Sequence, residues 1–324
     1  MQWCISHRSA LEFWRTAQAE DALSRKRLRI NKLPGKAMDA RGLRVGDPGG
    51  LSMPLHILVG SKNARKATQR LHCHICSATF PGGSFIQVAS DRAVSSPELC
   101  FLQMASELPL IELVTLGFEF CGGYRLDKTA DPARGFRDDA ALSSVAKLGS
   151  YLKRARGIKG RKNALCALKF IVDGSDSPME TALCMLLTLP YRLGGYGFPQ
   201  PLLNSCIYRT GGTRKAISEI GTLKFYGDLY WPDKRVDVEY DSDAFHAAPT
   251  KITEDAIRRN TLSAAGITVL TVSRRQIVQT EGLRAIARSL SARLGKRLKC
   301  STQDFTARHS ILRSRLLPKV SADR

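Results

Sequence analysis

Apolar residues recur along this 324-residue chain with two periods, one near 3.6 and one of two, and their alternation predicts an α/β protein. Leu11, Trp14 and Leu23 fall at roughly helical spacing. Leu55 to Val59 reads as a short buried strand and Leu71 to Ile75 as an alternating one. Ser95-Ser96-Pro97-Glu98 marks a helix start: Ser96 can cap, proline suits the first helical position, and Glu98 favours the positive helix end. The residues after it are apolar enough for a core helix, and Ile111 to Phe120 forms a second apolar segment that stops at Gly122-Gly123. Ser177-Pro178-Met179-Glu180 repeats the start signature before another apolar helix.

The second half of the chain changes period. Leu223 to Trp231 reads as a strand, Pro232 to Arg235 as its turn, and Arg235 to Asp241 as a returning strand. Period two puts Val236, Val238 and Tyr240 on one face and Asp237, Glu239 and Asp241 on the other. Three acids on one face repel one another unless a cation or solvent compensates. Thr253 to Ala265 then predicts a helix capped by Thr253 and closed by Gly266, Ile267 to Val272 a strand, and Leu283 to Leu294 a basic amphipathic helix.

Charge sharpens this picture. The chain carries 50 Lys and Arg against 29 Asp and Glu, a formal net charge of +21, which favours a nucleic-acid or anionic partner over a neutral metabolite. Yet eight of the 29 acids lie between Phe225 and Asp255. Carboxylates concentrated inside a basic chain suit a metal-dependent enzyme acting on a polyanion, the acids holding the cation and the basic surroundings the phosphates. Between Ala140 and Val172 there are eight Lys and Arg and no acid, with Lys153, Arg154, Arg156, Lys159, Arg161 and Lys162 densest; this is a phosphate-contacting edge or a flexible basic connector.

Nine cysteines at irregular spacing are no disulfide framework, and several sit among apolar neighbours where a reduced thiol packs as a small hydrophobe. His72, Cys73, His74 and Cys76 raise zinc, but alternation sends His72 and His74 to one face and Cys73 to the other, and no second pair follows at finger-like spacing. No apolar run reaches the roughly 18 residues that span a bilayer and no signal peptide is recognisable. The expectation is a cytoplasmic protein without membrane contact.

Strand, turn, strand, helix and strand, with acids on the first hairpin, is the order of a PD-(D/E)xK nuclease core. Gly227-Asp228-Leu229, Val238-Glu239-Tyr240-Asp241, Phe245-His246, Asp255-x-x-Arg258-Arg259-Asn260-x-Leu262 and Gly266-Ile267-Thr268-Val269-Leu270 resemble the domains grouped with the very-short-patch-repair endonuclease, over roughly residues 175 to 292. The resemblance implies a restriction-endonuclease-like core, a mixed sheet flanked by helices, beside a smaller α+β N-terminal domain. It implies that Asp228 and Glu239 bind Mg²⁺ or Mn²⁺, that Asp241 is a further ligand or orients water, that Glu180 is the acid of the leading helix, and that His246 moves a proton. The motif's lysine, expected two residues after Glu239, is replaced by Asp241, so Lys251 or His246 takes its role. Arg258 and Arg259 join the basic run as candidate DNA contacts.

In the N-terminal part, Ser6-His7-Arg8-Ser9-Ala10-Leu11, the strand at Leu55 to Val59 and Val94-Ser95-Ser96-Pro97-Glu98 resemble abortive-infection antitoxin-type regulators, without their opening winged helix-turn-helix. The expected organisation is a basic helical segment at 1–50, an antitoxin-like α+β domain at 51–135, a basic linker at 136–174, an endonuclease-like domain at 175–295 and a basic tail at 296–324. The expected function is metal-dependent hydrolysis of DNA phosphodiesters. The alternative is a non-catalytic DNA-binding regulator built on a degenerate nuclease fold.

Overall fold

Trp3, Cys4 and Ile5 form a buried three-residue strand at the very start of the chain, and its neighbours on both sides come from far along the sequence. The computed structural model describes residues 3–28, 30, 33, 50–65, 67–127, 134–209, 224–241, 249–298, 300 and 302–317, which divide into two units, 1–171 and 172–324. Both mix helices and strands. No helix among the described residues is long and apolar enough to cross a membrane.

The first unit is built on a seven-stranded sheet. Its strands are β1 (Trp3–Ile5), β2 (Arg27–Leu28), β3 (Leu55–Val59), β4 (Ala67–Thr68), β5 (Leu71–Ile75), β6 (Phe85–Gln87) and β7 (Arg92–Ser95), in the order β2-β6-β7-β1-β3-β5-β4. β1 runs parallel to β7 and antiparallel to β3, so the opening residues belong to the same sheet as residues 55–95 rather than to a separate helical segment. Helix α1 (His7–Trp14) packs on β3, and after α2 (Gln18–Leu23) the chain reaches α3 (Pro97–Met104), which packs on α1. Ser96 caps α3 as its sequence requires, accepting the Leu99 N–H at 3.3 Å with Pro97 in the first turn.

α4 (Leu110–Cys121) is buried along most of its length, and the hairpin β8 (Tyr124–Leu126) and β9 (Phe136–Asp138) follows it. Glu119 on α4 is 1% exposed in its side chain, and Arg15 meets it with two bonds of 2.8 and 2.6 Å. The stretch expected as a basic linker is instead folded: α5 (Val145–Arg154) and α6 (Arg161–Leu168) pack on α3 and α4. Leu148, Tyr151, Leu152, Ala164 and Ala167 bury the apolar faces that make this a packed pair and leave most of the cations outward.

In the second unit, α7 (Pro178–Thr188) leads into a four-stranded sheet ordered β10 (Leu202–Arg209), β11 (Lys224–Trp231), β12 (Val236–Asp241) and β13 (Thr268–Ser273). The first three strands are antiparallel in succession, and β13 runs parallel to β12, reached through α8 (Pro249–Ala264). α8 begins four residues before the expected Thr253 cap, because Pro249 fits a first turn without a backbone donor. The short α9 (Arg274–Val278) and α10 (Thr280–Leu294) follow β13. Residues expected as a basic tail form α11 (Gln303–Leu316), which buries Phe305, His309 and Leu312 and packs on α7. His309 Nδ1 lies 2.7 Å from the Gly194 carbonyl, and a Cβ on Gly194, at φ +90°, would stand 2.4 Å from the Arg308 carbonyl, so only glycine lets this helix approach.

Candidate active site

The β11–β12 hairpin turns through Pro232–Lys234, with Arg235 in the left-handed region at φ 50°, and pairs Trp231 with Val236, Tyr230 with Asp237 and Leu229 with Val238. Beyond Leu229 the backbone ladder ends, and the Asp228 side chain takes over: its Oδ2 accepts the Tyr240 backbone N–H at 2.7 Å. A carboxylate standing where a strand carbonyl would otherwise pair fixes Asp228 against β12. It also uses one oxygen and leaves the other for a further partner.

Asp237 is fully buried beside the Glu239 carboxylate, with which it can share a proton, and meets no N–H donor among the described residues. Its carboxylate occupies the space a side chain on residue 227 would need: a Cβ on Gly227 would stand 2.5 Å from Oδ1 and 2.6 Å from Oδ2. An orphaned buried carboxylate is costly unless it is protonated or bound to a cation.

Glu239 is held by an ion pair with Arg258 of α8, whose Nε lies 3.2 Å from Oε1 and whose Nη2 bonds both that oxygen and the Tyr226 carbonyl. Glu180 closes the α7 start. Ser177 Oγ accepts the Glu180 N–H, while the Glu180 carboxylate accepts from Ser177 Oγ at 2.9 Å, from the Asp176 N–H at 3.0 Å and from Asn204 Nδ2 at 2.7 Å. Asn204 sits at φ 42°, and the same amide reaches the Gly174 carbonyl. Glu180 thus fastens the start of α7 and still acts on Asp228 as a negative charge.

Electrostatics tie the acids together. Burial, then the negative charge of Glu180 and Glu239, raises Asp228 from the usual carboxyl range to about 7, against the lowering pull of the Tyr240 N–H and of Arg258. Burial, then Glu239 and Asp228, raises Asp237 to about 8, again opposed by Arg258. Burial and mutual repulsion thus favour the protonated carboxyls, and a bound cation would displace those protons. Among the described residues these acids do not close into three ligand atoms all within 4.8 Å of one another, and Glu239 is paired with Arg258.

Of the residues singled out from sequence, Asp228, Glu239 and Glu180 thus fall within electrostatic reach of one site, and Arg258 serves it as a cation rather than as an outward DNA contact. Asp241 lies at the last position of β12, opposite Ser273. Lys251 is in the first turn of α8 with its side chain outside the described residues, as is the whole of His246. Arg259 is exposed on α8. In the first unit Lys153, Arg154, Arg156, Lys159 and Lys162 are exposed, while Arg161 turns inward to give Nε to the Leu152 carbonyl at 2.7 Å. Asp237 had no role assigned from sequence. Its signal was Gly227, since a glycine inside a strand marks a close approach.

No family model matches the chain, and no solved structure matches it. The chain is 28% identical over 138 residues to two curated relatives, the uncharacterized proteins MT2308 and Rv2248 of two Mycobacterium tuberculosis strains, CDC 1551 / Oshkosh and H37Rv. The match covers 41% of this chain and 45% of each relative, so it spans about half the length of the curated relatives.

Proposed function

We propose that the second unit is a metal-dependent nuclease of the PD-(D/E)xK kind, related to the very-short-patch-repair endonuclease, and that it hydrolyses phosphodiester bonds in DNA. The observation that carries this reading is Asp237, a fully buried carboxylate packed against Gly227, without an N–H donor among the described residues and in charge reach of Asp228 and Glu239. The succession of helix, three antiparallel strands, helix and a fourth parallel strand supports it.

The donor set is all oxygen, which suits Mg²⁺ or Mn²⁺ rather than a softer ion. Asp228 and Asp237 would hold the ion, with Glu239 joining once it exchanges Arg258 for the cation. Such an ion, when bound, screens phosphate charge and lowers the pKa of water. The chain's own part is to keep Asp228 fixed through Tyr240, to keep Asp237 dry, and to place Arg258 where a positive charge is needed beside the acids. Arg258 thereby stands in, from α8, for the positive charge absent at Asp241. Plasmid nicking with Mg²⁺ tests the reading, with Asp228→Asn and Asp237→Asn expected to lose activity.

One observation favours the second reading, a DNA-binding regulator of antitoxin-like kind that does not cut. The Glu239–Arg258 ion pair neutralises one acid internally, as a scaffold without a metal would require. DNA binding that survives Asp228→Asn and Asp237→Asn, with no cutting by the parent under Mg²⁺ or Mn²⁺, is the outcome of that alternative.

A further inference from the structure

We propose that His7, His74 and Glu107, in the first unit, bind a divalent transition-metal ion of the zinc class, with one coordination position open to the adjoining cavity. This inference is independent of the nuclease reading. The three residues are 67 and 33 positions apart in sequence, yet one ligand atom from each lies within 4.8 Å of the others. They come from the first residue of α1, from β5 and from the turn after α3.

Two imidazoles and one carboxylate form a donor set for zinc, nickel or copper rather than magnesium, and three protein ligands are the number that leaves a position for water or an exogenous group. A tetrahedral ion sets its donors about 3.3 to 3.5 Å apart. The present separations therefore need a small inward closure. The rings of His7 and His74 stack with centroids 3.5 Å apart and planes at 8°, so binding also requires them to splay.

The surroundings are those of a supported site. His7 Nδ1 lies 3.1 Å from Ser6 Oγ, and His74 Nε2 lies 2.9 Å from His56 Nδ1, contacts that orient both rings. His7 adopts φ 49°, a region non-glycine residues seldom occupy, and its backbone N–H is anchored on Gln103 Oε1 at 3.0 Å. Gln103 Nε2 is buried with no acceptor, although the residue is only 4% exposed. It lines the same cavity of about 380 Å³ as the three ligands, where an anionic or aqua group on the open position would meet it. Arg65 and Lys159 also line that cavity and favour an anion there, while Glu107 now accepts from exposed Arg8 at 3.0 Å.

Cobalt and zinc binding to the full chain tests the proposal. Co²⁺ is expected to give d–d absorption of a four- or five-coordinate site at one ion per chain, displaced by Zn²⁺. Glu107→Gln and His74→Gln are each expected to weaken binding more than about 100-fold, beyond what loss of an outer partner causes. His72→Asn, on the exposed neighbour ring, is expected to leave it within about threefold, well short of that outer-partner loss. Glu107 lies at a part-exposed turn, so Glu107→Gln carries the test alone should His74→Gln fail to fold. Binding that survives Glu107→Gln, loss of binding in His72→Asn, or a thiolate-to-cobalt charge-transfer band from Cys73 or Cys76 overturns it.

Discussion

The carboxylate of Asp237 fills the space beside Gly227, with both oxygens within 2.6 Å of where a Cβ would begin. The two positions are therefore coupled. Gly227→Ala is expected to destabilise the second unit by about 1–3 kcal/mol, the range for overpacking a closed site. Adding Asp237→Gly to that variant should recover part of the loss. Urea unfolding of the two single variants and the double variant measures the coupling, and additive effects would show that the two residues do not share that space.

Asp228 and Asp237 bind protons more tightly in the folded than in the unfolded chain. Their contribution to metal-free stability is thus fully present below the ordinary Asp value of 3.8 and lost as pH rises through about 7 and 8. Asp237→Asn, which stays neutral, should melt at an increasing advantage over the parent between pH 5 and 8.5 in chelator. Parallel melting curves across that range would remove the claim that Asp237 is buried unpaired.

Arg258 lowers the proton affinity of both aspartates. Arg258→Gln should move the pH midpoint of Mg²⁺ binding upward, since the carboxyls then give up their protons at higher pH. Calorimetric titration with Mg²⁺ from pH 6 to 9 reads the midpoint. An unchanged or lower midpoint contradicts the placement of Arg258 as the positive charge of the site.

In the first unit the buried Glu119 is satisfied by Arg15 and by the Leu126 N–H at 3.1 Å. Glu119→Gln breaks a buried ion pair and should cost about 3 kcal/mol of stability, measured by chemical unfolding. A loss within experimental error of zero would mean that water replaces the pair freely.

The local signals in the sequence translate into structure where one residue decides the geometry. Ser96 and Ser177 cap helices, Pro232 opens the hairpin turn, and Asp228 and Glu239 reach one neighbourhood. What the sequence withheld depends on tertiary cover. Strand alternation placed Asp237 on one face with Glu239 and Asp241, and only the folded chain shows that Asp237 is fully buried while those two stay part-exposed. The cations from Lys153 to Lys162 read as a phosphate-contacting edge or a connector, because a helix whose apolar side is short, Leu148, Tyr151 and Leu152, looks polar until α3 and α6 supply its partner. His74 offered one zinc ligand whose companions, His7 and Glu107, no sequence spacing joins. For His246 and the Lys251 side chain, which lie outside the described residues, the roles implied by the family resemblance stand as proposals.

In the proposed function the acids around Asp237 hold a cation for cutting DNA. Supercoiled plasmid incubated with the full chain and Mg²⁺ should be nicked or linearised, and chelator, Asp228→Asn and Asp237→Asn should each abolish cutting while DNA binding persists. Cutting that continues unchanged in Asp228→Asn and Asp237→Asn, or no cutting by the parent with either Mg²⁺ or Mn²⁺, contradicts a metal-dependent nuclease site at these acids.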